Sequence, residues 1–168
     1  MKNGHKSLPY YLDDVDRRLC EELQSNGRAQ YSGLAERVGL SVPAVRERII
    51  RLEQRGVIRG FSAVLNAEAF GLDLTVFVFV SLAGSDNFAG FIDLCRTRPD
   101  IQECHAITGQ ASHLLKIRAR NRAALEMILS EIQRWPGVHG TQTHLVLSTH
   151  AETHAIDTSA TEERELAV

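Results

Sequence analysis

Residues 74–82 read Leu74-Thr-Val-Phe-Val-Phe-Val-Ser-Leu82, and this stretch decides the class of fold. Its side chains alternate at period two, which predicts a β-strand, and Phe77 and Phe79 make the second face apolar as well. A strand that is apolar on both faces is covered on both faces. The stretch therefore predicts a strand in a sheet that packs against other structure on each side.

The segments that follow this strand alternate between helical and extended patterns. Helical spacing of apolar residues marks two stretches, Phe88 to Cys95 and Leu125 to Ile132. Extended patterns mark three more stretches, which are 101–108, 113–119 and 141–148. The predicted order is β-α-β-β-α-β, the split βαβ arrangement of the ferredoxin-like fold, and the whole chain is predicted to be α+β.

This arrangement leaves one face of the predicted sheet without a cover. Both crossover helices of a β-α-β-β-α-β unit pack on the same side of the sheet. Phe77 and Phe79 then have nothing in a single chain to bury them. An exposed apolar sheet face marks an interface, and a two-fold dimer is the commonest solution, so both residues are predicted to lie in a dimer interface.

The sequence before this strand predicts three short helices between residues 13 and 60. Asp13 or Asp14 caps the first helix, and the second covers Ser32 to Val38. Ser41 caps the third helix, and Pro43 falls in its first turn, where a missing amide donor costs nothing. A short turn between the second helix and a basic third helix is the layout of a helix-turn-helix.

The charge of the chain is unevenly distributed between its two parts. Residues 1–66 hold 11 Lys and Arg against 8 Asp and Glu, a net of +3, and residues 67–168 hold 8 against 13, a net of −5. The basic side chains cluster on and beside the third helix, where Arg46, Arg48, Arg51, Arg55 and Arg59 fall within one short stretch. This clustering favours a helix that contacts nucleic acid, although a solvated face with ordinary ion pairs is the alternative.

Composition limits the other classes of function. The chain has 168 residues, 43% of them hydrophobic, which is typical of one globular domain or two small ones. No apolar run reaches the ~18 residues of a membrane span, and the first residues do not resemble a signal peptide. Three widely spaced cysteines match neither a disulfide framework nor a zinc site, and are interpreted as small buried hydrophobic residues. The sequence predicts a soluble cytoplasmic protein with no cofactor, no metal and no membrane partner.

The motifs of both halves together resemble the Lrp/AsnC family, the leucine-responsive or feast/famine transcriptional regulators. The resemblance covers residues 12 to 148, and the matching motifs are Leu12-Asp13-Asp14-Val15-Asp16, Gly27-Arg28, Leu34-Ala35-Glu36-Arg37-Val38-Gly39-Leu40-Ser41, Val45, Arg48-Ile49, Arg51-Leu52-Glu53, Gly56-Val57-Ile58-Arg59-Gly60-Phe61, Thr108-Gly109 and Leu114-Leu115-Lys116-Ile117. The resemblance implies a winged helix-turn-helix that binds double-stranded DNA, followed by a regulatory domain of the predicted ferredoxin-like kind.

The domain plan and the DNA-binding residues follow from this combination. We predict an N-terminal arm (1–11), a DNA-binding domain (12–60), a linker strand or hinge (61–72), an effector-binding and oligomerisation domain (73–150) and a flexible tail (151–168). The predicted DNA contacts are short side chains near the start of the third helix, which suit base edges, and basic ones, which suit phosphates or position the helix. They are Ser41, Val42, Pro43, Ala44, Arg46, Glu47, Arg48, Arg51 and Arg59.

The resemblance also implies a small effector and a larger assembly. Family members dimerise, assemble further into tetramers or octamers, and bind small effectors, usually amino acids, near the turn between the second and third strands. Here that turn comprises Thr108, Gly109, Gln110, Ala111, Ser112 and His113. The family commonly has Asp where Ser112 stands and an aromatic residue where His113 stands. Serine supplies no charge, so we expect weak amino-acid binding or a ligand whose ammonium group is recognised elsewhere.

Two further interpretations stay open. His105 and His113 flank the turn and are either effector contacts or strand-face histidines at a subunit contact, whereas His150 and His154 are interpreted as a solvated pair. Some relatives with the same plan are sirohaem decarboxylases, which use histidine and arginine near the equivalent turn. Gly109-Gln110-Ala111 offers no arginine there, which favours a regulator of amino-acid-related metabolism over such an enzyme. A third alternative, an effector-binding module that only assembles, is disfavoured by the arginine-rich helix.

Overall fold

The computed structural model describes residues 11–158, which form two compact units. The first unit contains the described residues up to Val64 together with those from Thr153 onward, and the second contains Leu65–Glu152. The helices and strands, in chain order, are α1 (Asp14–Ser25), α2 (Tyr31–Val38), α3 (Val42–Gln54), β1 (Leu74–Leu82), α4 (Phe88–Arg96), β2 (Ile101–Ala106), β3 (His113–Ala119), α5 (Arg122–Ile132) and β4 (Val138–Leu145). Within residues 11–158, no helix is both long enough and apolar enough to cross a membrane.

The first unit is the predicted group of three helices. The side chain of Asp13 caps α1 by accepting a hydrogen bond from the Asp16 amide at 2.8 Å. Apolar residues of all three helices form one buried core, whose members are Leu19, Leu34, Ala35, Val45 and Ile49. The helix-turn-helix predicted from the periodicity of the sequence is confirmed, with α2 beginning one residue earlier than predicted.

The turn between α2 and α3 is short because its backbone bends at a glycine. Gly39 ends α2 in the left-handed conformation with a φ of 70°, which a residue with a side chain adopts rarely. The Leu40 amide donates to the carbonyl of Ala35 at 3.0 Å and closes the end of the helix. Ser41 is the N-cap of α3, so a single residue, Leu40, separates the cap of one helix from the cap of the next.

No strand forms between α3 and β1 in the described part of the chain, where the resemblance implied a wing and a linker strand or hinge was predicted over residues 61–72. A strand needs a neighbour to accept and donate its backbone hydrogen bonds, and within residues 11–158 this segment has no strand beside it. Several large apolar side chains of the segment are exposed, including Phe61, Val64 and Leu65.

The second unit has the predicted β-α-β-β-α-β order. Its four strands form an antiparallel sheet in the order β2-β3-β1-β4, with β1 in register with both β3 and β4. Four side chains of β1 alternate into the core, namely Val76, Val78, Val80 and Leu82. They pack with residues of both helices, among them Phe91 and Cys95 of α4 and Ile128 and Ile132 of α5. Both helices therefore cover one face of the sheet, which confirms the ferredoxin-like prediction.

Two strand boundaries differ from the prediction. β4 begins at Val138 and ends at Leu145, whereas residues 141–148 were predicted. The turn at Trp135-Pro136-Gly137 leads directly into pairing with β1, because the Ala83 amide donates to the carbonyl of Gly137 at 2.7 Å. β2 ends at Ala106 rather than at Thr108, which lengthens the turn before β3.

Residues 151–158 form neither a helix nor a strand, yet they make several hydrogen bonds. The side chain of Gln24 in α1 donates to the carbonyl of Ile156 at 3.2 Å and accepts from its amide at 2.7 Å. The hydroxyl of Thr158 donates to Glu21 at 2.9 Å. Within the second unit, Glu152 forms an ion pair with Lys116. The segment has no periodicity, so none of these contacts was predicted from the sequence.

Candidate nucleic-acid interface and effector turn

The third helix has one buried face and one exposed face, as its sequence predicted. Val45, Ile49 and Leu52 are almost fully buried, whereas Val42 and Ile50 are 43% and 40% exposed. The hydroxyl of Ser41 accepts a hydrogen bond from the Ala44 amide at 3.4 Å, which makes it the predicted N-cap. The first turn of α3 is thus held in place while its short side chains face solvent.

Exposed basic side chains surround this face. Arg46 and Arg59 are exposed, and Arg51 is 44% exposed on its side chain. Glu47 lies 3.6 Å from Arg51, one helical turn away, a loose pair that is exposed on both sides. A pair of this kind contributes little to stability, so the Arg51 guanidinium is available to a phosphate.

Arg48 does not join this exposed group. Its guanidinium lies 2.6 Å from a carboxylate oxygen of Asp13 and 2.8 Å from one of Asp16, and the Asp16 side chain is only 2% exposed. The hydrogen bonds that Arg48 donates to Asp13 and Asp16 raise the pKa of its guanidinium above the usual value. Of the two predicted roles, the geometry favours positioning of the helix over a phosphate contact. The two carboxylates at Asp13 and Asp16 could have indicated from the sequence that an arginine is held by α1. Only the packing of α1 on α3 shows that this arginine is Arg48.

The turn between β2 and β3 is fastened to β1 through Ser112. The Ser112 amide and hydroxyl both donate to the carbonyl of Val80 at 3.0 Å, and the Leu82 amide donates to the hydroxyl oxygen at 3.2 Å. At the base of the turn, the Ile107 amide donates to the carbonyl of Ser112 at 3.0 Å. The single proton of the hydroxyl is committed to the protein backbone, so Ser112 acts first as a structural link.

His113 was predicted to contact the effector, or else to lie on a strand face at a subunit contact, and the structure places its side chain on the covered face of the sheet instead. Its side chain is 1% exposed and packs between the rings of Phe88 and Phe91, whose centroids lie 4.9 and 5.0 Å away. It lies on the covered face because it alternates in phase with Leu115 and Ile117, which are also buried.

The hydrogen bonds of Ser112 fix the tautomer of His113. Nδ1 of the ring lies 3.1 Å from the Ser112 hydroxyl, whose own proton goes to Val80. Nδ1 must therefore carry the proton and donate, which leaves Nε2 as an unprotonated acceptor. Nε2 is buried and has no hydrogen-bond partner in the described structure. Burial lowers the pKa of His113 below its usual value, because a charged ring would have to leave water.

The remaining residues of the turn are open to solvent. Thr108, Gly109 and Gln110 are exposed, and Ala111 is half-buried. Gly109 has a φ of 123°, a conformation that favours glycine, and no atom lies within 4 Å of where a Cβ would stand. A small ligand can therefore approach the backbone here, where amide groups and the Thr108 hydroxyl offer hydrogen bonds.

The sheet face opposite the helices combines apolar and charged side chains. Phe77 and Phe79 are half-buried on this face, and Phe79 stacks edge-on against His144 at 5.3 Å. Beside them, Lys116 lies 3.2 Å from Glu103, and His105 lies 3.2 Å from the same carboxylate. His105 thus lies on the open face of its strand, and its predicted role at a subunit contact stays a prediction.

Two family models match this chain and cover most of the described residues. An AsnC-type helix-turn-helix domain matches residues 12–53, and an Lrp/AsnC ligand binding domain matches residues 75–156. The leucine-responsive regulatory protein of Serratia marcescens is 38% identical over 150 residues, which cover 88% of this chain and 92% of that protein. The protein of the same name from Escherichia coli K12 is 39% identical over 139 residues, covering 81% and 85%.

Solved structures of regulators have the same fold. A transcriptional regulator of Neisseria meningitidis in complex with L-Met superposes with a TM-score of 0.81 at 30% identity, covering 88% of this chain and 97% of that one. The feast or famine regulatory protein of M. tuberculosis, complexed with L-methionine, gives a TM-score of 0.80 at 36% identity, covering 86% and 98%. These relatives support the regulator and not the decarboxylase alternative.

Proposed function

This chain belongs to the Lrp/AsnC family of transcriptional regulators, and from that premise we propose which of its surfaces bind DNA, effector and a second copy. The observation that carries the proposal is the exposed face of α3, where a capped first turn of short side chains is flanked by arginines. We infer that the first turn of α3, together with Arg46 and Glu47, lies nearest the base edges in the major groove.

Phosphate contacts are assigned to exposed arginines that no close ion pair of the fold engages. Arg59 is exposed and Arg51 has only the loose, exposed pair with Glu47 at 3.6 Å, whereas Arg48 is engaged with Asp13 and Asp16. Arginine suits phosphate because its planar guanidinium donates two parallel hydrogen bonds. We therefore expect these two residues to control the salt dependence of binding and Arg48 to control the position of α3.

The effector site is proposed at residues 108–112 between neighbouring dimers. Two structural relatives are complexes with L-methionine, which supports an amino acid as the class of ligand. In this chain the Ser112 hydroxyl is bonded to β1 and supplies no charge, so recognition falls to backbone amides, Thr108 and Gln110. An amino acid held in this way has its carboxylate bound by turn amides, and we expect the affinity to be weak unless its ammonium group is bound elsewhere.

The sheet face that bears Phe77 and Phe79 is proposed as the dimer interface. Both helices lie on the other face, and two large aromatic side chains remain partly accessible in the single chain. Pairing two such faces would bury them around a two-fold axis, since the same patch then contacts itself. Further assembly into a tetramer or octamer is proposed from the family resemblance.

The proposal is tested by selecting bound sequences from a library of random double-stranded DNA and measuring binding to the selected fragment by fluorescence anisotropy. We expect specific binding that exceeds binding to an unrelated fragment of equal length, and a change in affinity with at least one of the twenty amino acids. The proposed function would be contradicted if the protein bound both fragments with equal affinity and no amino acid changed that affinity.

A further inference from the structure

Two cysteines far apart in the sequence are brought together in the second unit. Cys95 lies in the last turn of α4 and is 3% exposed, whereas Cys104 lies in β2 and is half-buried. Cys104 pairs with Leu115 of β3, a core residue, so its side chain points to the face that α4 covers. Both are free thiols that pack in the same core cluster.

The two thiols differ in acidity. Interaction with the Cys95 thiol lowers the pKa of Cys104 to about 7, and the positive charge of Arg96 adds to this effect. The same interaction and burial raise the pKa of Cys95. Because the thiolate is the nucleophile, the more accessible Cys104 is the group that reacts first, and Cys95 is held next to it as a second thiol.

We propose that Cys95 and Cys104 form an oxidation-responsive site that closes to a disulfide within one chain when it meets a hydroperoxide. The Cys104 thiolate attacks one oxygen of hydrogen peroxide, the O–O bond breaks, and the departing hydroxide takes up a proton to become water. Cys104 is then a sulfenic acid. The Cys95 sulfur attacks the Cys104 sulfur, the S–O bond breaks, and the second oxygen leaves as water. In sum, two thiols lose two electrons and two protons, and one peroxide becomes two waters.

The geometry suits this second step better than reaction with another molecule. Cys95 is enclosed in the core, so neither a second protein nor a bulky thiol reaches it, whereas the Cys104 side chain packs against the same core cluster. Formation of the disulfide then needs a local movement that brings the two sulfur atoms to bonding distance. The bond ties α4 to β2 four residues before Thr108, so it reduces the freedom of the strand that leads into the turn.

The position of tryptic cleavage allows a direct test on the full chain. Trypsin cuts after Arg96, between the two cysteines, and spares Arg98 because Pro99 follows it. Cys95 and Cys104 therefore fall in the peptides 60–96 and 97–116, and Cys20 falls in a third peptide, 19–28. The reduced protein is treated with about a tenfold excess of hydrogen peroxide, denatured, alkylated with N-ethylmaleimide and digested without reductant.

The proposal predicts loss of two of the three alkylatable thiols, a decrease in intact mass of about 2 Da, and one cross-linked species joining peptides 60–96 and 97–116. Dithiothreitol should restore all three thiols. The Cys20→Ser variant should behave like the wild type, whereas Cys95→Ala and Cys104→Ala should each abolish the cross-link. The proposal would be overturned if all three thiols stayed alkylatable, if the link joined two chains, or if Cys104 became a sulfinic acid while Cys95 stayed free. The wild-type protein alone is enough to distinguish these outcomes.

Discussion

The hydroxyl of Ser112 donates to the carbonyl of Val80 across 3.0 Å, so the turn after β2 is fastened to the C-terminal part of β1. The preceding residue of that strand, Phe79, faces the uncovered side of the sheet. One strand thus borders both the proposed effector turn and the proposed dimer interface. An effector that shifts the turn acts on β1 directly, and we expect effector binding and assembly to be coupled through this strand.

Replacing Gly109 tests the effector site. The Gly109→Gln substitution places bulk where the backbone is open and strains a φ of 123°, so we expect effector binding to fall below detection by calorimetry. DNA affinity should stay near the wild-type value, because the two sites lie in separate units. Gly71→Gln, at another exposed glycine of positive φ in the second unit, is the control for strain alone. Undiminished effector affinity in the Gly109 variant would place the pocket elsewhere.

A charge on the uncovered sheet face tests the dimer interface. Burial of each phenylalanine contributes roughly 1.5–3 kcal/mol and counts twice in a two-fold dimer, so Phe77→Asp should shift the protein to monomer and weaken operator binding. Met127→Asp is the matched control, because Met127 is 68% exposed on α5. The oligomeric state is measured by sedimentation at micromolar concentration. A Phe77→Asp variant that remains dimeric would contradict the placement of Phe77 in the dimer interface.

The arginines of α3 should divide into two groups by salt dependence. Arg51→Ala should flatten the slope of log K against log salt by ~0.9 for a single lost phosphate contact while leaving stability almost unchanged. Arg122→Ala, which removes an exposed charge in the second unit, is the control for net charge. If the slope of the Arg51 variant equals that of the wild type, Arg51 makes no phosphate contact.

Arg48→Ala should instead act on stability. It removes charge-assisted hydrogen bonds to Asp13 and to the buried Asp16, which we expect to cost the first unit about 2 kcal/mol in urea unfolding. Its salt slope on DNA should match that of the wild type when binding is measured well below the unfolding transition. A variant of wild-type stability with a flattened slope would reverse the assignment of Arg48.

Acid should destabilise the second unit through His113. Its folded-state pKa lies below the ordinary 6.5, so below pH 6.5 the unfolded chain binds more protons than the folded one. The contribution of His113 is thus fully present above pH 6.5 and is lost as pH falls, by at most about 1.4 kcal/mol per pH unit. His113→Phe should remove this slope between pH 7 and 5.5 when unfolding is measured at each pH. Equal slopes in the two proteins would show that His113 titrates normally.

Most of the fold could be predicted from the local periodicity of apolar residues. The faces of α3, the strand over 74–82 and the order of elements all depend on spacing within short segments, which a sequence displays directly. The sequence already shows that His113 alternates with Leu115 and Ile117, which predicts a side chain on the buried face of β3. Its placement at the effector turn relied instead on its being a histidine next to that turn. Alternation was the better guide, since side-chain direction in a strand is fixed by the backbone.

Other features depend on contacts between distant segments and left no local pattern. The pairing of Arg48 with Asp16 requires α1 and α3 to be packed, and the presence of Cys95 and Cys104 at one core cluster requires α4 to lie over β2. The start of β4 is set by pairing with β1 at Leu82, although its own sequence contains Gly140, which weakens a strand. Non-local geometry of this kind has to be observed.

The hydrogen bonds of Gln24 with Ile156 make the first unit discontinuous in the sequence, with the second unit inserted into it. The chain passes between the units twice, after Val64 and after Glu152. A fragment that stops near residue 64 therefore lacks a native piece of the unit it is meant to represent. Adding a synthetic peptide of residues 153–168 to such a fragment should raise its melting temperature, and a Gln24→Ala fragment should not respond. Two covalent connections, after Val64 and after Glu152, therefore join the units where a simple tandem arrangement would have one.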